Sequence, residues 1–439
     1  MDNQLKMNGL NSALRPAALL PGRKPSLQEL DFSLTPFLAI WEVTQACDLA
    51  CIHCRAEARS GRDPGELSTE EGMRLLEEVR RFGPVLFVLT GGDPLKRPDV
   101  FDLIRHGTRI GLRMTMTPSG TRLLTRERVL RMKAAGLARV AVSVDGPDQM
   151  SHDAFRNVPG SFQWTMDCIR WAREAGMEAQ INTTITRFNK GRVREMAGMV
   201  ARLGITLWSV FFLVPVGRGS KHHMVTPAEH EAIFHELYGL SKEMPFDIKT
   251  TAAQHYRRVC MQRSALERMR GAAPEAGGGA AAGPLPSFRG GPGFSAGIGR
   301  AAKGVNDGNG LVFISHRGEV MPSGFMPVSA GNVREGSVVD LYRASELFRS
   351  LREPGAFLGK CGYCDFRDVC GGSRARAYSV TGKPTGSEPF CTYRPERPGS
   401  ARGASNTYKG PHAEAGALTR AQVDEALAPE KPAAAPPAG

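Results

Sequence analysis

The sequence predicts an α/β fold in which repeated βα units surround a parallel sheet. Three observations carry this expectation. Between Phe37 and Val214 short β-branched or aromatic runs alternate with helix-period stretches, each run is mostly apolar as a doubly covered strand should be, and glycines punctuate the helix ends. The expected strands are Phe37 to Val43, Val85 to Leu89, Leu112 to Thr117, Arg139 to Asp145, Glu178 to Thr186 and Trp208 to Val214. Ser68-Thr69-Glu70-Glu71 predicts a capping box opening the first helix, because Ser at the N-cap and Glu three residues on satisfy each other's backbone donors. Gly111, Gly136, Gly176 and Gly204 sit just past later helices, where C-cap glycines belong.

A chain of 439 residues, 41% of them hydrophobic, buries a large core and has room for two or three domains. Seven of its nine cysteines fall in two tight groups, a pattern that excludes a small disulfide-stapled scaffold and points to metal binding in a reducing cytoplasm. Met1 to Pro25 contains no run suited to a signal peptide, and no stretch approaches the roughly 20 apolar residues of a membrane span, so a cytoplasmic protein without a membrane partner is expected. The net charge of +13 comes from scattered arginines with no basic block interleaved with aromatics, which favours an anionic small substrate over nucleic acid. The expected organisation is an N-terminal extension over 1–36, an α/β unit over 37–270, a linker over 271–293, a smaller cysteine-bearing domain over 294–397 and a disordered tail over 398–439. In the linker, 18 of 23 residues are Gly, Ala or Pro, too few apolar side chains to offset chain entropy.

Cys47, Cys51 and Cys54 form a CxxxCxxC group directly after the first expected strand. Three thiolates at this spacing hold three irons of a 4Fe-4S cluster and leave the fourth without a protein ligand. The alternative, structural zinc, takes four protein ligands, and no further Cys or His stands nearby at finger spacing, His53 being too close to complete the set. This motif after the first strand of a βα series resembles the signature of radical S-adenosylmethionine (SAM) enzymes. The resemblance implies a partial (β/α)6 TIM-like barrel in which the open iron chelates SAM, an electron cleaves it, and the 5′-deoxyadenosyl radical takes a substrate hydrogen. It also implies an electron donor such as ferredoxin or flavodoxin. Matching residues lie where strands end. His53 occupies the position whose backbone faces adenine, and Gly91-Gly92-Asp93-Pro94 resembles the family's GGEP element, whose carbonyls hold the SAM amine. Ser143 and Asp145 close the fourth strand, where a Ser contacts SAM and an Asp organises the loop. Arg156 resembles the arginine that pairs with the SAM carboxylate, and Asn182 is placed toward ribose or adenine. Taken singly, these residues read equally well as loop caps, a surface ion pair or a cross-strand hydrogen bond.

Cys361, Cys364, Cys370 and Cys391 supply a complete four-thiolate site, acceptable to zinc or to a 4Fe-4S cluster. Gly318 to Pro322, Gly331-Asn332-Val333 and these cysteines resemble the SPASM extension of radical SAM enzymes, which carries auxiliary clusters. A full extension holds two, but Ser323 and Arg374 stand where cysteines are usual, so the resemblance implies one fully ligated auxiliary 4Fe-4S cluster in a small SPASM-like domain. Gly371 to Tyr378 and Pro322 to Phe325 further resemble the radical SAM enzymes of haem biosynthesis, which include the decarboxylase making haem b from iron-coproporphyrin and the enzymes that modify didecarboxysiroheme. That similarity covers Phe37 to Arg394 apart from the Gly/Ala-rich insertion.

The function implied is oxidative decarboxylation of propionates on a tetrapyrrole. Arg218, Arg257, Arg258, Arg374 and Arg376 are candidate partners for its carboxylates or else solvated arginines, and His255 and Tyr256 are candidates for iron ligation or proton donation. Cys168, between Trp164 and Trp171, predicts a buried inert thiol, while Cys260 keeps a redox role open. Two rivals stand beside this reading: a SPASM-type maturase acting on a ribosomally made peptide, and a zinc-binding scaffold without catalysis.

Overall fold

The computed structural model describes residues 30–271 and 304–396. The first 29 residues, the expected linker from residue 272 onward and the tail lie outside the described residues. Nine strands form one sheet: β1 (Leu38–Glu42), β2 (Leu86–Thr90), β3 (Arg113–Met116), β4 (Arg139–Ser143), β5 (Glu178–Ile185), β6 (Leu207–Phe212), β7 (Asp247–Thr251), β8 (Leu311–Ile314) and β9 (Val320–Met321). Their order is β7-β6-β5-β4-β3-β2-β1-β8-β9, parallel throughout except for the β8–β9 pair. The helices are α1 (Thr69–Arg80), α2 (Val100–Arg109), α3 (Arg126–Ala134), α4 (Gln149–Arg156), α5 (Ser161–Glu174), α6 (Val193–Arg202), α7 (Pro227–Glu243), α8 (Tyr256–Gly271), α9 (Val338–Ala344), α10 (Glu346–Arg352) and α11 (Arg374–Thr381).

All six expected strands are present, and the sheet continues beyond them. β7 adds a parallel strand at one edge. At the other, β8 pairs with β1 in the register Leu38↔Leu311, so the cysteine-bearing C-terminal stretch is woven into the sheet of the βα series. The local signals hold: Ser68 Oγ accepts from Glu71 N at 3.2 Å while Ser68 N donates to the Glu71 carboxylate at 2.7 Å. Gly111, Gly136, Gly176 and Gly204 each end a helix at positive φ, between +62° and +96°.

Strand alternation divides the side chains into two sets. Ala39, Trp41, Phe87 and Met114 point outward and are fully buried in the core between sheet and helices. Trp41 packs so closely on α1 that a Cβ at Gly72 would stand 2.5 Å from its ring. The intervening residues, among them Leu38, Val88, Thr115, Ala141, Asn182 and Lys249, point inward and line one cavity, as in a partial barrel. Among the described residues no helix is long and apolar enough to cross a membrane.

Candidate active site

β1 hands the chain to the loop carrying Cys47, Cys51 and Cys54. Backbone bonds brace that loop: Cys47 N donates to Arg59 O at 2.7 Å and Arg59 N to Gln45 O at 3.0 Å. At the strand end the buried Glu42 carboxylate pairs with Arg55 at 3.1 Å and with His316 Nδ1 at 3.1 Å. The β6–α7 connection closes the far side, where Arg218 N donates to Cys54 O at 2.9 Å and Arg218 Nε to Cys51 O at 3.0 Å. Arg218 thereby holds the cysteine loop.

The three cysteines border the inward cavity of about 370 Å³. Leu49 N donates to Cys47 Sγ at 3.3 Å, and Arg156 Nη1 stands 3.7 Å from Cys51 Sγ, so donors already face the sulfurs that a metal would deprotonate. Burial pushes the Cys47 thiol up to about 11 and raises Cys51 as well, against the pull of Arg156. These thiols would lose their protons on coordinating a metal, which would reverse that balance. Among the described residues no three His, Cys, Asp or Glu side chains converge on a single ion. Three soft thiolate donors bordering an open cavity are a donor set that suits a cluster with one iron left free of protein ligands.

Gly91 and Gly92 bring the β2 end against this loop. A Cβ on Gly91 would lie 2.3 Å from Thr44 O, and one on Gly92 2.5 Å from Ala46 O and Gln45 O. The approach is sealed by Gly92 N to Thr44 O at 2.8 Å and Asp93 N to Ala46 O at 2.6 Å. With His53, Ser143, Arg156 and Asn182, both glycines line the cavity. Asp93 and Asp145 do not. The Asp93 carboxylate, lifted to about 6 by burial, accepts from Leu95 N at 3.1 Å and Thr121 Oγ1 at 2.8 Å, tying its own loop. Asp145 accepts from Thr184 N at 2.6 Å and pairs with the Arg156 guanidinium. Burial opposes the Arg156 charge, but Asp145 and the Cys51 sulfur outweigh it and its pKa is raised. His53 packs on Phe155 at 4.6 Å between ring centroids, and burial with Arg156 nearby holds its imidazole well below the usual range. Asn182 Oδ1 accepts from Gln180 Nε2 at 2.8 Å.

The second group closes on itself. Cys361, Cys364, Cys370 and Cys391 border a cavity of only about 20 Å³. Each sulfur receives a backbone N–H: Glu388 N on Cys361 at 3.3 Å, Phe366 N on Cys364 at 3.4 Å, Gly372 N on Cys370 at 3.3 Å, and Tyr393 on Cys391. In three of the four the donor lies two residues after the cysteine, as Leu49 does after Cys47. Arg374 Nη2 stands 3.7 Å from Cys361 Sγ, and Arg376 forms a fully buried ion pair with Glu388 at 2.9 Å, so both arginines build this site. Arg258, paired with Glu231, borders the same space. So does His255, fully buried and stacked on His230, with neither ring nitrogen hydrogen-bonded among the described residues. Of the five nominated arginines only Arg257 reaches the barrel cavity. Ser323 also faces it. Cys168, pushed up to about 12 by burial, and the buried Cys260 belong to the main core and border neither cavity.

Sequence reasoning missed Arg139, Lys249, Thr251 and Asp307 in the barrel wall. The available signal was the alternation in Asp247-Ile248-Lys249-Thr250-Thr251, which has a single apolar residue and so fails the test for a covered strand.

A parallel partial barrel with three thiols at its strand ends, and four further thiols grouped beside it, is the architecture of a cofactor-dependent enzyme. Comparison with known proteins makes the class specific. Residues 41–200 match the Radical SAM superfamily. The AdoMet-dependent heme synthase of Nitratidesulfovibrio vulgaris is 41% identical over 369 residues, 84% of this chain and 95% of that protein. The enzyme of the same name from Methanosarcina barkeri is 39% identical over 82% of this chain and 97% of its own length. The mycofactocin maturase MftC of Mycobacterium tuberculosis is 30% identical over 84% of this chain and 85% of that protein. Among solved structures, Streptococcus suis SuiB bound to S-adenosylmethionine shares the fold, with a TM-score of 0.59 at 16% identity, covering 82% of this chain and 78% of that one. The chain belongs to the radical SAM superfamily. It is an enzyme, and the family implies a 4Fe-4S cluster and SAM.

Proposed function

We propose that the enzyme oxidatively decarboxylates propionate side chains of a haem precursor. The observation that carries this is the match to two proteins named heme synthase across more than four-fifths of the chain, about 40% identical and longer than the 37–270 stretch alone. Per propionate, one hydrogen atom, one carbon dioxide and one electron leave, and a vinyl group remains.

Cys47, Cys51 and Cys54 would hold the SAM-binding cluster, and Cys361, Cys364, Cys370 and Cys391 an auxiliary one. When bound, the first with SAM supplies the 5′-deoxyadenosyl radical and the second an electron acceptor. The chain's own residues do the positioning. Gly91 and Gly92 present backbone at the cysteine loop, Ser143 and Asn182 offer polar contacts along the wall, and Arg156 keeps a cation beside Cys51. Leu38, Ile40, Val88, Leu311 and Phe313 form an apolar wall that keeps water from a reactive species. A ferredoxin or flavodoxin would deliver the reducing electron.

The test is incubation of anaerobically reconstituted, reduced protein with SAM and iron-coproporphyrin, followed by mass spectrometry. Successive losses of carbon dioxide with hydrogen are expected. Unchanged porphyrin alongside active SAM cleavage would overturn this reading in favour of a peptide substrate.

A further inference from the structure

The barrel cavity holds more positive charge than its neighbours balance. Arg55, Arg139, Arg156, Lys249 and Arg257 all line it. Three of them have carboxylate partners: Arg55 with Glu42, Arg139 with Glu178 and Arg156 with Asp145. Among the described residues Lys249 and Arg257 have none. Arg257 donates to two carbonyls, Val305 O at 2.7 Å and Val369 O at 3.1 Å, and the charges acting on Lys249 are the cations Arg139 and Arg257. The carboxylate in the lining, Asp307, is engaged by Ala375 N at 2.9 Å and by the Ser323 side chain. Burial, then the two arginines, pulls the Lys249 ammonium down to about 8.

Register places this ammonium with respect to the other end of the site. Ser143, Asn182, Ser209 and Lys249 pair in one row across β4 to β7. Lys249 therefore stands two strands beyond Asn182, roughly 10 Å away at ordinary strand spacing. That separation leaves room for a reacting carbon near Ser143 and Asn182 while a charged group of the same molecule reaches Lys249.

We propose that Lys249, backed by Arg257, is the subsite for a propionate carboxylate of the substrate and sets which edge of the macrocycle turns toward the cysteine loop. The assignment rests on the haem-precursor reading. An ammonium suits this task because it is a compact charge that one carboxylate neutralises.

Reconstituted wild type, Lys249→Met and Lys249→Arg are titrated by absorption with iron-coproporphyrin and with its fully esterified form, with SAM binding measured in parallel. Wild type should bind the acid more tightly than the ester. Lys249→Met should weaken acid binding roughly ten- to a hundredfold, leave ester and SAM binding unchanged, and be largely rescued in Lys249→Arg. A Lys249→Met protein that keeps the wild-type preference for acid, or that loses SAM affinity in step, overturns the subsite. If that variant does not fold, Lys249→Gln gives the same comparison. Wild type that binds neither porphyrin form removes the haem-precursor reading and the subsite with it, an outcome distinct from the first.

Discussion

At the loop after β1 three thiols border a space of about 370 Å³, whereas the four thiols near α11 border one of about 20 Å³. The local turns are alike, since both sites aim backbone N–H groups at sulfur from two residues downstream. The difference lies in what surrounds them. At the first site the glycines of the β2 end and the inward strand faces leave the sulfurs beside open room, so an iron without a thiolate has space for a ligand. At the second, Arg374, Arg376 and Glu388 fill the surroundings, and four thiols would be the ligands offered to a metal. Thiol number and the volume beside it, more than the turn itself, separate the two cysteine groups.

The largest effect should come from separating the two. Replacing Cys47, Cys51 and Cys54 with Ala should take 5′-deoxyadenosine formation below detection while iron falls from about eight to about four per chain. Replacing Cys361 and Cys364 should also lower iron to about four, yet leave SAM cleavage in place and stop product formation. Equal loss of SAM cleavage in both variants would break the comparison. Next, Arg376→Met strands the Glu388 carboxylate in a site where both side chains are fully buried, so urea unfolding should show a loss of about 3–5 kcal/mol. Adding Glu388→Leu should recover most of it, and an unchanged midpoint in the single variant would mean the pair does not brace the cage. The smallest effect sharpens the other side: Gly92→Ala must push the β2 end off the cysteine loop, costing about 1–3 kcal/mol and weakening SAM binding while the four-thiol iron stays. Its measure is SAM affinity by calorimetry against iron content.

The sequence made much of this legible because some signals are local. The capping box at Ser68, the four C-terminal glycines and six apolar strands need only their neighbours to be read. β7 escaped because its inward face carries Lys249 and Thr251 toward the cavity, which breaks the apolar run that marks a covered strand. β8 escaped because its partner β1 lies more than 260 residues earlier, and register across such a distance has no local trace. At the site, the glycines and the cavity-facing Ser143 and Asn182 were readable from their place at strand ends. Spacing could not tell that Asp93 turns away from the cavity to bond Leu95 N and Thr121, or that Arg218, Arg374 and Arg376 build cysteine sites, since both are decided by which atoms arrive nearby in three dimensions.

The pairing of β8 with β1 also bears on how the molecule is made. One edge of the first strand, next to the loop that carries Cys47, finds its partner only when residues 311–314 have been synthesised, on the order of half a minute after β1 at ordinary ribosomal rates. During that interval one edge of β1 has no strand partner, so the sheet cannot be completed at this seam before the C-terminal segment arrives.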